Sequence, residues 1–133
     1  MLRRLVSILR PRRVPPFELP PEETLDETPS GLRYRIVAPG SGPAPGPEDT
    51  VTVRYAGWLT DGRLFDASWP HTASFPLNRV IAGWTEGLQL LGAGGTAILV
   101  IPPELAYGQR GARPLIGPGE TLVFRVELVR VGG

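Results

Sequence analysis

The chain has 133 residues, 41 % of them hydrophobic, and fourteen basic residues against thirteen acidic ones give a formal charge of +1. That length suits one domain with a real core. The near-balance of charge lacks the basic excess of a nucleic-acid binder, and no apolar run approaches the roughly 18 to 20 residues of a membrane-spanning helix. Cysteine is absent, which excludes disulfides, thiolate nucleophiles and cysteine-ligated zinc.

The first thirteen residues, MLRRLVSILRPRR, carry five arginines around the short apolar stretch Leu5 to Leu9. The stretch is short for a signal-peptide core and has no small-residue cleavage site. A disordered start is expected, with a membrane-surface helix as the alternative. Residues 14–30, VPPFELPPEETLDETPS, hold five prolines and five acids and read as a linker. Residues 1–28 are therefore expected to be a disordered head and linker, and residues 29–133 the folded domain.

From Leu32 the apolar period becomes two. Leu32, Tyr34 and Ile36 alternate with Arg33 and Arg35, predicting a strand, and APGSGPAPGPED follows as a long turn. Thr50 to Leu59 places Val51, Val53 and Tyr55 on one face and ends at the turn signal Asp61-Gly62, a second strand. The stretch RVIAGWTEGLQLLGAGG, Arg79 to Gly95, reads as the helix, with Trp84, Leu88 and Leu91 on one stripe and Gly92 as its stop. Gly95 to Pro102 and Glu120 to Val131 are two further strands, the last alternating Leu122, Phe124, Val126 and Leu128 with Val123, Arg125 and Glu127. One apolar stripe on one sheet gives an α+β class: an antiparallel sheet covered on one face by a single short helix.

Conventional catalytic motifs are missing. None of the five serines sits in a Gly-x-Ser-x-Gly setting, and the only histidine, His71, lies in the polar loop SWPHTAS, so neither a serine-histidine mechanism nor metal ligation has support. GAGG follows the helix instead of opening one, the wrong context for a dinucleotide loop. What remains is a set of aromatic and branched residues beside turns: Tyr55, Phe65, Val80, Ile81, Trp84, Tyr107, Leu115, Ile116 and Phe124, with the carboxylate of Asp66 among them. An ordinary core would account for most of these. Leu115 and Ile116, near the tip of a glycine- and proline-rich loop, are expected to be exposed and to form a binding lip.

VTVRYAGWLTDGRLFDAS, FPLNRVIAGWTEGLQLL and IPPELAYGQRGARPLIGPGETLVFRVEL together resemble the FKBP-type peptidyl-prolyl cis-trans isomerases, in order and without large gaps from Pro29 to Val131. The resemblance implies a half-barrel of about five antiparallel strands around one short helix. It also implies an enzyme that accelerates X-Pro rotation without a metal or cofactor, with proline-containing polypeptides as clients and rapamycin- or tacrolimus-type macrolides as inhibitors. The pocket so implied comprises Tyr55, Phe65, Asp66, Trp84, Tyr107 and Phe124 as the catalytic set. Val80, Ile81, Leu115 and Ile116 bind substrate beside them, Trp84 forms the floor, and the Ile81 amide and Tyr107 hydroxyl hold ligand carbonyls. Ala73 stands where many relatives carry an aromatic lip residue, and Ala112 where some carry histidine, so a shallower wall is expected. Without a cleavable signal or an oligomerisation seam, a cytoplasmic monomer assisting protein folding is the expectation. The competing reading is a prolyl-peptide binding module with incidental turnover. Leu19-Pro20 could in addition dock into the pocket of its own or a neighbouring chain, although a polyproline spacer explains it as well.

Overall fold

The computed structural model describes residues 14–132. The arginine-rich head, expected to be disordered, lies outside the described residues. The elements in chain order are β1 (Asp26–Glu27), β2 (Arg33–Ala38), β3 (Thr50–Leu59), β4 (Leu64–Ala67), β5 (Ala73–Pro76), α1 (Ala82–Leu88), β6 (Thr96–Ile101) and β7 (Leu122–Val131). Among the described residues these strands form one seven-stranded sheet in the order β1-β2-β6-β7-β3-β4, with β5 also paired to β3. Every pairing is antiparallel. The α+β class holds; the four strands read from alternation are β2, β3, β6 and β7, and β1, β4 and β5 are too short to announce themselves that way.

Alternation in the long strands sorts residues onto two faces. Val51, Val53, Tyr55, Leu99, Ile101, Leu122, Phe124, Val126 and Leu128 enter the main core with Trp84 and Leu88 of the helix. Ala56 and Trp58, and separately Ile98, Val100 and Val123, form two smaller apolar clusters on the opposite face. Apolar clusters thus lie on both sides of the sheet, which one helix could not cover alone.

The helix is shorter than the sequence stripe predicts. It stops at Leu88, after which Leu90 bonds back to Gly87 and Leu91 to Leu88, the three-residue spacing of a tightened turn. Gly92 then donates to the Pro39 carbonyl at 2.9 Å. Leu91 thus lies beyond the helix yet remains fully buried. Three glycines in ten residues weaken helical propensity, but two of them set how closely α1 meets the sheet. A Cβ at Gly83 would stand 2.5 Å from Ile101, and one at Gly87 would stand 2.8 Å from Leu99.

The second face is closed by the stretch expected to be an unpacked linker. Phe17 stands edge-on to Trp58 with ring centroids 5.7 Å apart, Val14 joins the same cluster, and Leu25 packs with Ile98, Val100 and Val123. Asp26 and Glu27 pair with Tyr34 and Arg33 as β1, and Glu22 meets Arg33 at 3.0 Å. The stretch has few apolar residues, but each falls on an apolar face that would otherwise meet water, and burial of that face orders it. Phe17→Ala should therefore lower unfolding free energy by about 1 to 3 kcal/mol, below the roughly 3 to 5 of a fully buried phenylalanine. Urea denaturation measures this; a passive linker would change by less than about 0.5 kcal/mol.

Candidate binding and active site

The candidate site is built beside a cluster of rings. Trp84, at the third position of α1 and 1 % exposed, stands edge-on to Tyr55 of β3 (centroids 5.0 Å), Phe124 of β7 (5.4 Å) and Phe75 of β5 (5.7 Å). Phe65 of β4 stands edge-on to Phe124 at 5.5 Å, extending the cluster. T-shaped packing sets the positive ring edge against the negative ring face and gains about 0.5 to 1.5 kcal/mol per pair beyond area burial. Gly57 lies beneath Phe65 and Phe124. A Cβ there would come within 2.6 Å of Phe124 and 2.8 Å of Phe65, so only glycine lets these rings meet at that depth.

A bulge brings Phe65 and Asp66 to the same side. In the β3–β4 pairing Gly57 faces Asp66 and Trp58 faces Leu64, so Phe65 is the extra residue. Leu64 and Ala67 consequently pack with Trp58 on the outer face, while Phe65 joins the main core. Asp66, 3 % exposed, accepts a hydrogen bond of 2.9 Å from the Tyr55 hydroxyl. Tyr55 is itself held: its N–H donates to the Ser68 hydroxyl at 3.0 Å, and its carbonyl accepts from the Ser68 N–H at 2.9 Å.

Val80 and Ile81 connect the 3-10 turn Leu77–Arg79 to α1. The Thr85 hydroxyl donates to the Leu77 carbonyl and so fastens the helix to that turn. The Ile81 carbonyl accepts from the Trp84 and Thr85 N–H groups, whereas its own N–H meets no backbone acceptor among the described residues. Tyr107 follows the 3-10 turn Pro103–Leu105 and is half-buried, and its hydroxyl makes no hydrogen bond among the described residues. Burial, and secondarily the charge of Asp66, holds the Tyr107 hydroxyl above its ordinary pKa of 10.0.

Among the described residues, concavities adjoin the ring cluster at Phe75 and at Phe65. The larger, about 400 Å³, is lined by Phe75, Arg79, Val80, Ile81, Ala106 and Tyr107. The other, about 310 Å³, is lined by Leu59, Arg63, Leu64, Phe65 and Leu115. Leu115 is 42 % exposed, as expected of a lip, but Ile116 is not part of one: it is 1 % exposed and belongs to the main core. Its N–H and carbonyl both pair with Ala112, which closes the loop and turns Ile116 inward. The remaining residues singled out in the sequence meet at this ring cluster or along its rim. Missed were Phe75, Ser68 and Gly57. Gly57 carried a readable signal, a glycine inside an otherwise apolar strand; Phe75 sits in a strand too short to show alternation, and Ser68 acts only through Tyr55.

The family model described as FKBP-type peptidyl-prolyl cis-trans isomerase matches residues 42–129. The chain belongs to this family. It is 51 % identical over 107 residues to the probable FKBP-type peptidyl-prolyl cis-trans isomerase FkpA of Neisseria meningitidis, covering 79 % of this chain and 39 % of that protein. It is 49 % identical over 105 residues to the outer membrane protein MIP of Legionella longbeachae, covering 77 % and 45 %. The crystal structure of FkpA from Escherichia coli superposes with a TM-score of 0.79 at 50 % identity, over 84 % of this chain and 53 % of that one. A peptidyl-prolyl cis-trans isomerase from Pseudomonas syringae gives 0.78 at 42 % identity, over 83 % and 82 %. The FKBP-type chain described here thus spans about half or less of the length of these two curated relatives.

Because the folded state holds the Tyr107 proton more tightly than the unfolded chain, that contribution to stability is intact below about pH 10 and is lost as pH rises through the raised folded value. Wild-type protein should therefore lose more stability above pH 10 than Tyr107→Phe, and tyrosinate absorbance should show one hydroxyl, absent from the variant, ionising late.

Proposed function

We propose that this chain accelerates cis-trans rotation of X-Pro bonds in polypeptides, and that the concavity lined by Phe75, Val80, Ile81 and Tyr107, beside the Trp84 ring cluster, is where it does so. One observation carries the reading: an apolar cavity whose rim offers two uncommitted donors, the Ile81 N–H and the Tyr107 hydroxyl, at the edge of a packed ring cluster. No nucleophile is required. Rotation meets a barrier of roughly 18 to 20 kcal/mol because it breaks amide resonance. The planar amide is the more charge-separated form, so a dry apolar site disfavours it relative to the twisted transition state. Donors that fix the flanking carbonyls hold the backbone while the proline ring rests on apolar surface, and binding energy then favours the twisted geometry over either planar one.

In this reading Val80, Ile81 and Tyr107 bound the proline site, Phe65 and Leu115 line the neighbouring concavity, and Phe124 and Trp84 hold the ring cluster in place. Asp66 is an ordered carboxylate positioned by Tyr55, close enough to act electrostatically on Tyr107. It serves to polarise the site, not to transfer protons. Proline-containing unfolded chains are the proposed clients, with the domain acting as a monomer in protein folding and open to rapamycin-type macrolides. A second reading, a prolyl-peptide binding module, draws on the small residues Ala73 at the start of β5 and Ala112 in the loop before Leu115.

Self-docking of Leu19-Pro20 in its own chain is disfavoured by the placement of the strap: Pro20 is buried, and Phe17 packs with Trp58 on the outer face.

Two-dimensional exchange NMR on an Ala-Leu-Pro-Phe peptide tests the proposal. Catalytic amounts of protein should accelerate exchange and excess rapamycin should suppress it; binding without acceleration would establish the module instead. Asp66→Leu should lower kcat/KM severalfold to about tenfold, short of the roughly 10² to 10⁴ expected on removing a general acid-base group. A loss beyond about 10³ with the fold intact would overturn the apolar-site mechanism.

A further inference from the structure

The larger concavity has one charged residue in its lining, Arg79, and no carboxylate. Arg79 closes the 3-10 turn Leu77–Arg79 and is exposed, two residues before the Ile81 N–H. Ion pairs among the described residues engage Arg33, Arg35, Arg54 and Arg63, but not Arg79. The contrast with the neighbouring concavity is informative. Arg63 lines that one, but lies 2.8 Å from Asp61, whose carboxyl is held below its ordinary range chiefly by the Arg63 N–H. Its charge is therefore locally compensated, whereas that of Arg79 is open to a ligand.

The carboxylate that acts on this cavity's lining, through Tyr107, is Asp66, which is buried and hydrogen-bonded to Tyr55. A peptide whose carbonyl meets the Ile81 N–H passes within a residue or two of Arg79, within reach of its long flexible side chain. We infer that Arg79 is a specificity-determining residue that selects client segments carrying Asp or Glu within two positions of the isomerised proline. This inference rests on the isomerase reading of the cavity. Guanidinium and carboxylate would form a solvent-exposed pair, so the selection is modest and salt-dependent. It acts on encounter and binding, and hence on KM more than on kcat.

The test uses Ala-Leu-Pro-Phe peptides extended at either end by Glu, Gln or Lys, with exchange NMR for kcat/KM and chemical-shift titration for Kd. At low ionic strength the Glu peptide of at least one series should exceed its Lys counterpart by about two- to fivefold, in line with exposed ion pairs. The ratio should fall towards one as salt is raised. Arg79→Gln should abolish the preference and Arg79→Glu reverse it. Equal values for Glu and Lys peptides, or a preference that survives Arg79→Glu, would overturn the assignment. The neutral Gln peptide separates the two readings: if its exchange is not accelerated the isomerase reading fails, while the Kd series still reports whether Arg79 selects acidic peptides.

Discussion

Edge-on packing against Trp84 is the constraint on which the rest of the molecule depends. Tyr55, Phe75 and Phe124 arrive from three different strands and meet one indole on the helix. The contacts to Tyr55 and Phe124 cross long sequence separations, so the rings lock the sheet to α1, and Phe75 carries the cluster to the edge of the larger concavity. Core and site are therefore not separate parts. Val80, Ile81 and Tyr107 line the concavity and also pack against the core, while Leu115 stays exposed.

Backbone irregularity supplies what side-chain packing cannot. Regular pleating would send Phe65 and Asp66 to opposite faces of β4. The bulge opposite Gly57 and Trp58 turns both inward, one to the rings and one to the Tyr55 hydroxyl. β4 and β5 then share one side of β3, pairing with its end and its beginning respectively, and Tyr55 lies between the two stretches. That interruption allows Ser68 to bond both backbone groups of Tyr55. The aromatic-acid pair of the site is in this sense a product of strand register.

Much of this was legible in the residues. The long strands β3 and β7 declare themselves by alternation, and Trp84 and Leu88 by their spacing on one helical stripe. The long co-linear motifs single out the rings and Asp66. What was not legible has specific causes. Leu91 continues the helical stripe but is buried from a tightened turn, because burial requires a direction and not a particular hydrogen-bond pattern. Ile116 reads as exposed from its loop context, yet the pairing with Ala112 turns it into the core. The proline-rich stretch before residue 29 looks unable to pack when counted by composition. Three residues, Val14, Phe17 and Leu25, suffice because the sheet offers them an unfilled apolar face.

The sheet's outermost strands carry a further consequence. At one border lies β1, two exposed acidic residues long; at the other lie β4 and β5, four residues each. Long, flat, unpaired borders recruit extended polypeptides through main-chain hydrogen bonds, and natural sheets suppress this with short or charged outer strands. For a domain proposed to handle unfolded chains the distinction matters. A client captured along a sheet border would be held by its backbone throughout and released slowly. Short borders leave side-chain recognition at the concave face as the favoured mode of engagement, and with it rapid turnover between successive segments.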